Sequence, residues 1–74
     1  MIFVFRKSDN VVFNRPYWIF NSDKSINVSI VEGTKARIVN LSDCFGEMVY
    51  DLELFDHPTK KYVDGIFRPV LSRA

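Results

Sequence analysis

The chain has one cysteine, one histidine, three glycines and three prolines in 74 residues. Each scarcity excludes something. A single cysteine forms no internal disulfide, so nothing in the sequence asks for an oxidising compartment. One histidine and one cysteine are too few for a soft-metal centre, and no zinc-ligand spacing occurs. No apolar run nears the roughly 18 residues needed to span a bilayer. At the start, Met1-Ile2-Phe3-Val4-Phe5-Arg6-Lys7 places its basic residues after the apolar stretch, the reverse of a secretory signal. A cytoplasmic location is therefore expected, with no membrane partner. Gly33, Gly46 and Gly65 are isolated and form no phosphate cradle. No cofactor, metal or small-molecule substrate is expected. Repeats, low-complexity tracts and linkers are also lacking, so residues 1–74 are read as a single small β domain.

What is present is ordinary in amount and uneven in arrangement. Apolar residues make up 47% and charged residues 26%, which places the chain among globular rather than disordered sequences. The net charge is only +1, yet residues 41–56 carry Asp43, Glu47, Asp51, Glu53 and Asp56 with no base. The flanks are mildly basic. The acidic middle is either a partner-facing patch or a segment neutralised within the fold.

Alternation with period two is the main structural signal. Ile26-Asn27-Val28-Ser29-Ile30 sets three aliphatics on one face and two small polar residues on the other. Thr34 to Leu41 and Glu47 to Phe55 repeat the pattern. A loop at Val31-Glu32-Gly33 puts glycine at a left-handed position. It predicts a hairpin with Ile30 opposite Thr34, Val28 opposite Ala36 and Ile26 opposite Ile38. A second hairpin, looping over Ser42 to Gly46, predicts Val39 opposite Val49, Arg37 opposite Asp51 and Lys35 opposite Glu53. Charge and hydrophobic register agree in that arrangement.

A helix over 42–56 is the alternative. Leu41, Cys44, Phe45, Met48, Val49 and Leu52 also recur at helical spacing, with Ser42 as N-cap. Against it, Gly46 would cost about 1 kcal/mol inside a helix. Asp43, Glu47 and Asp51 would also stack as like charges. Further strands are expected at Ile2 to Arg6, Val11 to Phe13, Tyr17 to Phe20 and Lys60 to Phe67, the last stopped by Pro69. The expected fold is all-β, a small antiparallel meander closing into a five- to six-stranded barrel or curved sheet. An α+β fold with an acidic helix at 42–56 is the alternative to it.

Glu32-Gly33-Thr34-Lys35-Ala36-Arg37-Ile38-Val39, then Tyr50-Asp51-Leu52-Glu53-Leu54, then Tyr62-Val63 resembles the strand rhythm of Src-homology-three-type small barrels, including KOW and Tudor modules. The resemblance covers about residues 26–71 and implies a fold class. It lacks the aromatic cage of a Tudor module and the glycine pattern of a KOW module, so it implies no ligand.

No residue set points to catalysis. His57, beside Asp56 and Pro58, has no nucleophile placed to use it, and reads as a solvated turn histidine. Cys44 lies among acids, which disfavour a thiolate, and reads as a half-buried loop anchor beside Phe45. Asp51 and Glu53 at i and i+2 are expected to pair with Arg37 and Lys35 rather than to act as an acid pair.

The expected function is a non-enzymatic protein-interaction module or accessory subunit, its partner another protein or a second copy. Arg15, Tyr17, Trp18 and Phe55 are the candidate contact residues, being of types that dominate interfaces. Phe5, Phe13, Phe20 and Phe67 are assigned to the core, with Phe3. A nucleic-acid-binding barrel is the alternative, with Lys60, Lys61, Arg68 and Tyr62 supplying charge and stacking. A third reading lets the acidic patch of Asp43, Glu47 and Asp56 occupy a basic site on a partner.

Overall fold

The computed structural model describes residues 5–74. The strand expected at Ile2 to Arg6, and Phe3 with it, lies largely outside them. Seven strands follow: β1 (Asn10–Phe13), β2 (Tyr17–Phe20), β3 (Ile26–Ile30), β4 (Lys35–Cys44), β5 (Glu47–Leu54), β6 (Tyr62–Phe67) and β7 (Leu71–Arg73). A short 3-10 turn over Arg68–Val70 separates β6 from β7. The described residues contain no α-helix, so the fold is all-β and the acidic segment is strand.

The strands form two antiparallel sheets, one of five strands in the order β6-β5-β4-β1-β7 and one of two, β2-β3. Among the described residues the sheets do not close into a barrel. Their inner faces enclose one core of Phe5, Val11, Phe13, Val28, Ile30, Ala36, Ile38, Tyr50, Leu52, Leu54, Val63, Ile66 and Leu71. Tyr17 and Ile19 of β2 are half-buried and pack against it. The Phe5 ring meets Tyr50 edge-on at 5.6 Å, the T-shaped geometry that aromatic quadrupoles favour.

The expected β3–β4 hairpin does not form. Gly33 takes the left-handed turn as expected, at φ 90°, but the two strands then part into different sheets. Gly33 N–H donates to the Phe13 carbonyl, and Phe13 N–H donates to Thr34. The chain therefore joins β1 directly, with Val11 opposite Ala36 and Val12 opposite Lys35. Both pairings bury Ala36 and Ile38, so alternation alone does not choose between them.

The β4–β5 hairpin does form, but in a register shifted by two up to Ile38 and by three from Asn40 to the turn. Arg37 lies opposite Glu53, Ile38 opposite Leu52 and Ala36 opposite Leu54. The loop is shorter than expected. Strand pairing runs to Cys44↔Glu47, leaving Phe45 and Gly46 as the two central residues at φ 52° and 86°. Positive φ at both is the signature of a type I′ turn, whose twist matches that of the strands. A left-handed conformation costs a non-glycine residue about 1–2 kcal/mol. Val39 is bulged out of the ladder and absorbs the odd residue.

Further bulges bend the sheets. Asp51 faces the bulge at Asp64 and Gly65 in β6, where Gly65 has φ 69°. The ladder β2–β3 carries an extra residue at Asn27. Bulges increase local twist, so the five-stranded sheet curves where β5 passes between the irregularities of β4 and β6. Pro69 ends β6 as expected. The added strand β7 beyond it carried too few residues to stand out in the sequence.

Candidate interaction surfaces

The two-stranded sheet shows water a face that its sequence does not make polar. Trp18, Phe20 and Ile26 are 48%, 59% and 57% exposed. Phe20 pairs with Ile26 and Trp18 with Ser29, so the three apolar side chains share the outer side of two adjacent strands and none of the four is charged. Alternation places Trp18 and Phe20, since Tyr17 and Ile19 turn to the core and their neighbours must turn away. Ile26, expected on the inner face with Val28 and Ile30, is turned outward by the bulge at Asn27.

The other candidates divide. Phe55 is half-exposed, and its backbone N–H donates to Lys35. Tyr17 packs inward, its ring 6.0 Å from that of Phe13. Arg15 is exposed but held locally, donating to Asn14 Oδ1 at 2.9 Å and to the Pro69 carbonyl at 3.0 Å. It ties the start of β2 to the 3-10 turn. Two core assignments need correction: Phe20 and Phe67 are both exposed. The signal for Phe20 was its i+2 spacing from Trp18.

The cationic candidates sit among carboxylates. Lys61 Nζ lies 3.8 Å from Glu53, which also takes Arg37 at 2.6 Å, and stands over the Tyr62 ring at 5.6 Å. Lys60 and Tyr62 line a concavity of about 410 Å³ together with Asp51, Asp64, Asn27 and Val39. The extra residues of all three bulges border this hollow. The expected Arg37–Asp51 pair is replaced by Arg37–Glu53, and the Asp51 carboxylate faces the Gly65 N–H at 3.4 Å. Arg68 is exposed in the 3-10 turn.

In the acidic patch, Asp43 and Glu47 flank the β4–β5 turn, and Asp43 Oδ1 accepts from the Gly46 N–H at 2.8 Å. Asp56 is exposed in the next turn, so the patch is divided between two turns. Cys44 is exposed and Phe45 fully so, contrary to the expected half-buried anchor.

His57 is tied into the fold rather than merely solvated. Its Nδ1 accepts from the backbone N–H groups of Thr59 and Lys60 at 3.2 and 3.0 Å. Nε2 therefore carries the proton and donates to the Ser29 carbonyl at 2.8 Å. The imidazole pins the β5–β6 turn to β3.

No protein-family model matches the chain, and neither the curated proteins nor the solved structures compared with it contain a match. The likeness to small barrels stands only at the level of a small all-β domain with antiparallel sheets.

Proposed function

We propose that the protein is a non-enzymatic interaction module or accessory subunit that binds another protein through the outer face of β2–β3. The carrying observation is the exposure of Trp18 and Phe20 beside Ile26 on an uncharged face. An aromatic side chain carries about 150–250 Å², so half-exposure of this trio leaves on the order of 300 Å² of apolar surface. That is enough for a central anchor, around which a polar rim completes an interface. The Src-homology-three-type resemblance goes with a small accessory β domain and leaves the ligand open. A cytoplasmic setting goes with the exposed thiol of Cys44.

Nucleic-acid binding is the weaker reading. Asp51, Asp64 and Glu53 stand among Lys60, Lys61 and Tyr62, where a phosphate backbone would meet them.

The test compares wild type with Trp18→Ala and Phe20→Ser as baits for cell-extract proteins, and titrates each with a mixed oligonucleotide by amide NMR. A protein retained by wild type and lost from both folded variants supports the reading. Salt-sensitive shifts at Lys60, Lys61 and Tyr62 on oligonucleotide addition would replace it with the nucleic-acid one.

A further inference from the structure

The β4–β5 hairpin holds an aromatic ring in water at a conformational cost. The first central position of a type I′ turn favours Asn, Asp or Gly. Here it is Phe45, at φ 52° and fully exposed. Strain at a residue that is not buried in its own fold points to a contact made elsewhere. The rungs nearest the turn, Asp43↔Met48 and Cys44↔Glu47, have no third strand beside them among the described residues. The hairpin tip is thus an apolar point with a collar of two carboxylates, Asp43 and Glu47.

The same chain carries the complement. A concavity of about 460 Å³ is lined by Phe5, Arg68, Pro69, Leu71, Ser72 and Arg73. Its floor is apolar, with Phe5 and Leu71 both nearly covered. Its lining is basic: Arg73 stands over the Phe5 ring at 5.7 Å, within 3.8 Å of Asp9, and Arg68 lines it from the 3-10 turn. We propose that the hairpin tip of one copy docks in the basic-lined concavity of a second copy. Phe45 meets Phe5, Pro69 and Leu71 there, and Asp43 and Glu47 approach Arg68 and Arg73.

The contact is heterologous, because tip and concavity are different surfaces. Each bound copy keeps one of them open, so association runs head to tail beyond a pair. A second copy suits the tip better than a membrane, whose anionic headgroups repel carboxylates beside the inserting ring. The contact uses none of Trp18, Phe20 and Ile26 and is independent of the β2–β3 interface.

Sedimentation velocity of the full chain over a concentration series tests this. Weight-average mass rises from the 8.6 kDa monomer to beyond twice that value. It falls back when salt is raised to about 0.5 M, where screening shortens the Debye length to a few ångströms. Phe45→Asn stays monomeric throughout while its Tm rises, since asparagine accepts positive φ; that separates loss of contact from loss of fold. Arg68→Glu is also monomeric, and Pro69→Asp replaces it should that variant not fold. Mixing the tip variant with the concavity variant restores a single competent contact, giving an equimolar complex and nothing larger. Trp18→Ala associates as wild type does. A wild type that remains monomeric overturns the proposal. So does association that survives Phe45→Asn, fails to appear in the mixture or is lost in Trp18→Ala.

Discussion

His57 shows how a single side chain can be placed by backbone groups alone. Two N–H donors converge on Nδ1 and one carbonyl receives Nε2–H, so the ring bridges the β5–β6 turn and β3. Truncation leaves those groups to water. His57→Ala is expected to lose about 1–2 kcal/mol of stability by chemical denaturation. His57→Phe should lose as much, because it keeps the volume and not the bonds; recovery in that variant would assign the role to packing. Asp23 is a second local case. The hydroxyl of Ser25 donates to its carboxylate at 2.5 Å and the Ser25 N–H at 3.0 Å, holding its pKa below the usual 3.8. A lowered folded-state pKa stabilises above the unfolded value and is lost as pH falls through the folded one. The Asn21–Ser25 turn should therefore loosen only in acid below about pH 4. NMR titration should place Asp23 low in wild type and back near its ordinary value in Ser25→Ala.

At the scale of elements, alternation found nearly every strand and failed on who pairs with whom. Val28, Ile30, Ala36 and Ile38 are all buried, as their spacing requires. Whether Ala36 faces Val28 or Val11 makes no difference to that burial, and the backbone bonds of Gly33 and Thr34 to Phe13 decide it. The β4–β5 register failed in a related way. Up to Ile38 the shift is by two, which keeps each side chain on its face, so neither hydrophobicity nor charge alternation objects and Arg37 finds Glu53 in place of Asp51. Beyond the bulge at Val39 the shift is by three. A two-residue turn with phenylalanine at positive φ was not legible, because that residue type argues against it. A double-mutant cycle distinguishes the registers. Arg37→Glu with Glu53→Arg should recover about 0.2–1 kcal/mol beyond additivity. Arg37→Glu with Asp51→Arg should recover nothing; coupling found there instead would contradict the observed pairing.

Across the whole molecule, a five-stranded and a two-stranded sheet share one core but no ladder among the described residues. β4 and β5 lie inside the larger sheet, while β2 is bonded to β3 alone among the described residues. Native-state hydrogen exchange should therefore find β4 and β5 amides slowest, and β2 and β3 opening together at lower free energy. Equal protection in both sheets would mean that they open as one unit. That arrangement also explains the candidate surface. A two-stranded sheet buries one side on the core and leaves the other half-exposed, where Trp18, Phe20 and Ile26 lie.

The sequence by itself favoured the all-β class over a helix at 42–56 and determined the strand positions from β1 to β6, the left-handed turn at Gly33 and the inward placement of Val28, Ile30, Ala36, Ile38, Tyr50, Leu52 and Leu54. These follow from side-chain period and backbone sterics, which act within a few residues. Tertiary structure decided strand partners, the register of β4 against β5, the bulges at Asn27, Val39 and Asp64–Gly65, and the addition of β7. It also exposed Phe20 and Phe67, and set a basic-lined hollow on the same molecule as an acidic, aromatic tip. Those outcomes turn on which backbone groups meet across long stretches of chain. Patterns that bury the same residues in either arrangement leave that choice to the hydrogen bonds and turn geometry of the folded whole.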